Sequence, residues 1–463
     1  VTKASPADLR SRLERAVLAR AAGAARVRHG DFPAILAAHT SRSIRQLAVA
    51  AGFDSVLTRS SPPVAQLMVR QVVSACYPIP PAAKKGVLRG HIAASNLTFP
   101  ARKGAAIANP TEGKPGMTGR VLLLSPSRGL GGGIERYVGT VEWAFATQGV
   151  ECRRLDLSGS GGRAHARLLA QGRVVLRGER EPTRLVVAHR ALLPVAALLA
   201  RDSAVCGVSV VCYGSDVWGS RWRPRRYLER RLMRGAGVRV VACSNFTAGA
   251  LMRDCRATVL LPALSREWFD TLAAAAAGRP DRGTGIRLAT AFRLADWRMK
   301  GLPQLVEAVT ALGRPDVCLT ICGSGNPPSD LLRLVSEYPW CVLRPGLSDD
   351  DLARELAAAD LFVLATRSGC GVVGEGFGLV LLEAQAAGTP VIAPAYGGSH
   401  EAYIEGVTGV APADESVEAL TRTLDDLLKD PARLAWMGGH AVEWTRQAFD
   451  PERYAQLTAR RLL

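Results

Sequence analysis

What most restricts the fold of this 463-residue chain is an alternation of short apolar runs with helical patterns, which begins abruptly at Val121 and starts afresh at Ile286. Strand-like runs stand at Val121 to Ser125, Val150 to Leu157, Arg173 to Leu176, Leu185 to His189, Val208 to Tyr213 and Val238 to Cys243. A second series occupies Ile286 to Ala291, Val317 to Cys322, Cys341 to Leu343, Leu361 to Ala365 and Val391 to Ala393. Such runs, with helical patterns between them, predict parallel strands buried between helices. A Gly/Pro-rich stretch at 278–285 divides the two series and another, at 104–118, precedes the first. The expected fold class is therefore α/β, with two doubly wound, Rossmann-like domains at 117–280 and 281–443. A last helix at 444–463 starts on Asp450-Pro451, and residues 1–116 form an extension without this pattern.

The extension differs in charge as well. Residues 1–116 carry 17 Lys and Arg against 5 Asp and Glu, so most of the formal net charge of +18 lies outside the alternating part. Within it, Ser5 to Asp8 reads as a helix cap, and Ser43 to Phe53 has the form of the first half of a helix-turn-helix. Pro62 and Pro63 then fall where a recognition helix would run, which argues against nucleic acid as a partner. Met117 immediately precedes the first strand, and the expectation is that 1–116 is dispensable and lies outside the natural product, the alternative being a genuine basic extension that recruits the chain to a membrane or a partner. The ten cysteines include no C-x-x-C pair and sit in apolar runs, which reads as reduced core thiols in a cytoplasmic setting. Arg201 and Asp202 interrupt the most apolar stretch, so no membrane-crossing helix is expected.

Gly374 to Ala393 carries the strongest chemical signal. Glycines precede Leu379, a short helix follows, and Gly388 and Pro390 end it ahead of a buried strand. A glycine loop entering a helix N-terminus favours phosphate, because unpaired N–H groups and the helix dipole act on one spot. Glu375 reads either as a cap or as a site residue. Glu383 lies in a helix apolar almost all round, where an unpaired carboxylate is costly. Its partner is either remote in sequence or a polyhydroxyl ligand, and the ligand is the favoured reading.

Glu-Gly-Phe-Gly with a second Glu at this spacing, then Ala-x-Ala-Ala-Gly-Thr-Pro-Val-Ile-Ala and Tyr396 to Glu401, resembles the donor site of the family 4 retaining glycosyltransferases. The resemblance covers 119–463 and implies the GT-B arrangement, two such domains facing across a cleft, with the terminal helix crossing back to the first. It implies that Glu375 faces the donor sugar, that the amides of Phe377, Gly378 and Leu379 meet sugar and phosphate, and that Glu383 holds the ribose hydroxyls. Gly131, Gly132 and Gly133, in a Gly-Gly-x-Glu-Arg sequence, resemble that family's first loop, facing acceptor and donor phosphate. A dinucleotide fingerprint would need Gly at 134, where Ile stands. Gly323 and Gly346 resemble loops near the nucleotide, the latter one whose backbone meets the base. His189 resembles a residue facing the donor sugar from the first domain, and Tyr213 to Trp218 a motif near the cleft. Pro262-Ala263-Leu264-Ser265 departs from the Asn-Gly-Val-Asp usual there.

Transfer from a nucleotide diphosphate needs positive charge on the departing phosphate and support for an oxocarbenium-like sugar. Arg293 and Lys300, with Arg298 a rival for the second place, resemble the family's diphosphate pair and can stand in for a metal. Asp349-Asp350-Asp351 after Ser348 reads as the acidic first turn of a capped helix, and no metal site or cofactor is expected. The function expected from the resemblance is a retaining, metal-independent glycosyltransferase with a nucleotide-sugar donor, GDP-mannose or a UDP-sugar, and a lipid or cell-envelope glycan acceptor. The alternatives are a sugar-nucleotide epimerase of the same architecture and a non-catalytic nucleotide-sugar-binding protein. Ser220 to Arg234 interleaves basic residues with Trp222, Tyr227, Leu228 and Leu232, which reads either as a solvated basic helix or as a surface for anionic membrane.

Overall fold

The computed structural model describes residues 119–126, 132–179, 181–214, 216–218, 224–279, 285–368 and 374–463. The readings made for residues 1–116, Gly131 and Trp222 lie outside them.

Two six-stranded sheets, parallel throughout, form the frame. In the first, β1 (Arg120–Ser125), β2 (Glu151–Asp156), β3 (Thr183–Val187), β4 (Val205–Cys212), β5 (Val238–Ala242) and β6 (Thr258–Val259) run in the order β2-β1-β3-β4-β5-β6. In the second, β7 (Ile286–Arg293), β8 (Val317–Ser324), β9 (Cys341–Pro345), β10 (Leu361–Val363), β11 (Val391–Ile392) and β12 (Gly409–Val410) run β12-β11-β10-β7-β8-β9. The apolar runs have the cause expected of them. Val121 and Leu123 pack on one face of the first sheet and Leu122 and Leu124 on the other, all four buried. This is the GT-B architecture.

Strand order fixes where a ligand can sit. The chain reverses its direction of growth between β1 and β3 in the first sheet and between β7 and β10 in the second, and doubly wound sheets bind ligands outside the strand ends at such points. The loops after β1, β3, β7 and β10 carry Gly132, His189, Arg293 with Lys300, and Glu375.

The expected strand at Arg173 to Leu176 is instead the last part of a helix, Gly161–Arg177. Ala164, Leu168, Gly172, Val175 and Leu176 form its buried stripe, at helical spacing, while Val174 is 69% exposed. Gly172 lets this helix lie close to Leu199, since a Cβ there would stand 2.7 Å from Leu199 Cδ1. The two-residue strands β6 and β12 carry too few residues to show a period in the sequence.

Two helices pack away from the lobe to which their neighbours in the chain belong. Trp268, Phe269 and Leu272 of the Arg266–Ala277 helix share one buried cluster with Leu381 and Leu382, so this helix packs beside the second sheet's helices. The Pro451–Leu462 helix, capped by Asp450 accepting from the Arg453 amide at 2.8 Å, returns to the first sheet. Tyr454 and Ala455 are buried with Tyr137 and Val138, and Ser209 Oγ of β4 donates to the Leu462 carbonyl at 2.6 Å. Among the described residues, no helix is long and apolar enough to cross a membrane.

Candidate active site

The second lobe supplies most of the site. Gly301 ends the loop after β7 with φ 73° and starts the Leu302–Leu312 helix. A Cβ at 301 would lie 1.9 Å from the Ala365 carbonyl oxygen, so only glycine lets this loop rest on the one after β10. The Arg367 amide seals the junction by donating to Met299 O at 3.1 Å. Lys300 and Glu375 thereby meet: Lys300 Nζ stands 2.7 Å from Glu375 Oε2, and Thr366 Oγ1 donates to the same oxygen at 2.8 Å. Burial pushes the Glu375 carboxyl up, but the Lys300 charge and the hydrogen bonds from Lys300, Thr366 and the Gly376 amide hold it below its ordinary value. Glu375 is therefore an ionised carboxylate at neutral pH with a cation at its side.

Arg293, at the end of β7, is gripped by Asp296, with Nε to Oδ2 at 2.9 Å and Nη2 to Oδ1 at 3.1 Å. Its side chain stays 44% exposed, which leaves it open to an incoming anion. Arg298 turns away, stacking 4.1 Å over the Trp297 ring and pairing with Asp330. Lys300 rather than Arg298 is the cation beside Glu375.

The Leu379–Ala386 helix begins on Gly378 at φ 82°, with no side chain capping its first turn. Glu383, 5% exposed, has found its partners within the protein. Trp268 Nε1 donates to its Oε1 at 3.0 Å, and Arg136 Nε lies 3.0 Å from the same atom. Two side chains remote in the chain thus serve Oε1, which is the other partner that the sequence left open. Arg136 also donates to Asp349 Oδ1 at 2.8 Å. Asp349 begins a helix capped by Ser348, whose Oγ accepts from the Asp351 amide at 3.1 Å, as the reading of the three aspartates as a helix start expected.

From the first lobe, Gly132 at φ 94° precedes Gly133 and the helix Gly133–Thr147, and a Cβ on Gly132 would lie 3.9 Å from Arg293 Cβ. His189 is half-buried after β3, its Nδ1 accepting from the Ala191 amide at 3.2 Å. That bond makes Nδ1 the acceptor, so a neutral ring carries its proton on Nε2. Behind it, the buried Arg190 pairs with Glu229 at 3.1 Å.

The lobes meet at the glycine loop. A Cβ on Gly376 would lie 1.8 Å from Tyr213 O, and one on Gly398 1.9 Å from Gly376 O. Across the same junction Glu401 accepts from the Asn245 and Phe246 amides at 3.0 and 3.1 Å, holding the start of the Asn245–Leu251 helix. Neither Arg136, Trp268, Thr366 nor Glu401 was singled out as a site residue from the sequence. The Arg of Gly-Gly-x-Glu-Arg and the Glu that ends the Tyr396 to Glu401 stretch were the visible signals.

Other expected site residues also make contacts within the scaffold. Gly323 has no room for a Cβ, which would meet Leu294 Cδ2 at 2.4 Å and Phe292 O at 2.5 Å; its carbonyl accepts from the Gly346 amide at 2.8 Å. The Gly346 amide is thus committed to the protein, although its φ of 66° leaves open space on the Cβ side. The Phe377 side chain is 3% exposed and packs edge-on against Phe449 at 6.1 Å, so only its backbone can serve a ligand, and Leu379 is likewise buried. In the basic Pro224–Met233 helix, Leu232 is buried and Leu228 packs on the same core, so these two are not available as membrane anchors. Arg225 and Arg230 are paired with Glu229 and Asp254.

A family model described as "Glycosyl transferases group 1" matches residues 293–444, which include Arg293, Lys300, Glu375 and Glu383. The chain is 37% identical over 151 residues to a GDP-mannose-dependent alpha-(1-6)-phosphatidylinositol monomannoside mannosyltransferase of Mycolicibacterium smegmatis, a match covering 31% of this chain and 40% of that protein. It is 30% identical over 267 residues to the Mycobacterium tuberculosis protein of the same name, covering 54% of this chain and 68% of that one. Among solved structures, it superposes on sucrose-phosphate synthase from Thermosynechococcus elongatus with a TM-score of 0.61 at 20% identity, over 74% of this chain and 98% of that one. WaaG, a glycosyltransferase involved in lipopolysaccharide biosynthesis, superposes with a TM-score of 0.54 at 17% identity, over 73% and 99%. At these identities the structural likeness is one of fold.

Proposed function

The chain belongs to the group 1 glycosyl transferases, and on that footing we propose that it transfers a sugar, with retention, from a nucleotide-diphosphate donor to a lipid or cell-envelope glycan, as a family 4 enzyme without a metal or cofactor. The observation that carries this is the Lys300–Glu375 pair at the switch point of the second sheet, beside the uncapped start of the Leu379–Ala386 helix. Free helix amides and Lys300 supply positive charge to a departing diphosphate, and Arg293 adds a guanidinium that Asp296 already orients. Glu375, kept ionised, faces the cationic sugar that develops as the bond to phosphate breaks. His189 can donate from Nε2 to a sugar hydroxyl. Attack on the face that the phosphate leaves, with that phosphate taking the acceptor proton, gives retention without a protein nucleophile.

GDP-mannose is the donor and an inositol phospholipid mannoside the acceptor that the names of the relatives suggest. With Leu228 and Leu232 turned inward, peripheral contact with an anionic membrane would rest on charge, and the enzyme would act from the cytoplasmic side. Incubation with GDP-mannose or UDP-glucose, with and without a phosphatidylinositol mannoside acceptor, tests the reading. The expected product is an α-linked glycolipid by NMR, formed equally in EDTA. Isomerised donor without transfer, an inverted linkage, or abolition by EDTA would each overturn the part it addresses. Arg293→Ala should slow turnover by about 10²–10³-fold, as loss of one anion-stabilising donor does elsewhere.

A further inference from the structure

We propose that Arg136 is a positioning residue for nucleotide binding: from the first lobe, it fixes the orientation of the Glu383 carboxylate in the second. The inference rests on the reading of the second lobe as a nucleotide-sugar site. Arg136 stands in the first turn of the Gly133–Thr147 helix, directly after the glycine loop. Its guanidinium lies 4.3 Å over the Trp268 ring, reaches Glu383 through Nε at 3.0 Å and Asp349 through Nη2 at 2.8 Å. Burial works against its charge, and Glu383 and Asp349 more than offset that.

The geometry points to alignment as well as neutralisation. A hydrogen bond and an ion pair that meet on one carboxylate oxygen from different sides restrict how the group can turn. Trp268 Nε1 donates to Oε1, and the Arg136 guanidinium forms an ion pair with the same atom, Nε at 3.0 Å, so the swing of Oε2 is restricted too. Trp268 is itself held, 5% exposed, on a helix whose Ser265 cap accepts from the Trp268 amide at 3.4 Å. Asp349 keeps the other end of the guanidinium in register, as a planar fork with fixed donors requires. Lysine can supply the charge but not the fork or the stacking, so it should restore the function only in part.

Calorimetry with GDP and with UDP on the full chain tests this, alongside donor KM and kcat, for wild type, Arg136→Met, Arg136→Lys and Asp349→Asn. Wild type should bind one of the two nucleotides. Arg136→Met should bind it about tenfold or more weakly, with donor KM rising by a similar factor and kcat changing far less. Arg136→Lys should fall between, and Asp349→Asn should weaken binding by roughly two- to fivefold. Unchanged affinity in folded Arg136→Met, or no gain with Lys over Met, overturns the proposal. Tighter binding by Arg136→Met overturns it too, by making Arg136 a competitor for Glu383. Should Arg136→Met fail to fold, the Lys and Asp349→Asn variants decide, and wild-type affinity in both refutes it. A wild type that binds neither nucleotide refutes the nucleotide-sugar reading first and this inference with it.

Discussion

Glu375 keeps its charge in a buried place because Lys300 and Thr366 both serve its Oε2. Its carboxyl is held below the ordinary value, so the unfolded chain binds the proton more tightly. The pair's contribution to stability is therefore complete above about pH 5 and fades as pH falls through the native value. Lys300→Met removes the largest opposing influence and leaves burial to act, so the carboxyl should protonate at higher pH. Urea unfolding across pH should show the variant losing stability from a higher pH than wild type, with turnover down by about 10²-fold or more. Superimposable pH–stability curves would refute this account of Glu375. That Glu383 needed a partner was legible, because Leu379, Leu381 and Leu382 surround it with nothing polar. The partner was not, since Arg136 and Trp268 are remote from Glu383 in the chain, the nearer by 115 residues, and only folding brings them to one oxygen.

Among elements, the junction between the loops after β7 and β10 carries the most consequence. Gly301→Ala would put a methyl group 1.9 Å from Ala365 O at φ 73°. The backbone strain alone is about 1–3 kcal/mol, and relief of the clash must part the two loops. A drop in stability of at least that size should therefore come with loss of activity, since Lys300 moves away from Glu375; an active, equally stable variant would show the contact to be slack. The inner strands of both sheets, β1, β3 and β10 among them, were legible because both faces are covered, which writes a strand as an apolar run. The same rule misled at Arg173 to Leu176, where two adjacent valines and a leucine end a helix. In the Pro224–Met233 helix the inward side was not legible, since composition does not show that Leu228 and Leu232 face the core.

Over the whole molecule, the lobes are joined by contacts that no local pattern contains. Glu401 holds the start of the Asn245–Leu251 helix from the opposite lobe, and Gly376 lies on Tyr213. Glu401→Ala removes a charged acceptor from two amides, so small-angle scattering should give a larger radius of gyration, with unfolding of each lobe little changed. An unaltered scattering curve would show the lobes to be held without it. The Pro451–Leu462 helix has a different consequence, for the order of events in synthesis. Ser209 and Leu462 are 253 residues apart, so at about 5–20 residues per second the first sheet waits roughly 10–50 s for its cover. During that time Tyr137 and Val138 lack Tyr454 and Ala455, with which they are buried in the finished fold. A nascent chain arrested before residue 451 should be cut by protease within the first lobe, and release of the last helix should confer resistance on the earliest part of the fold.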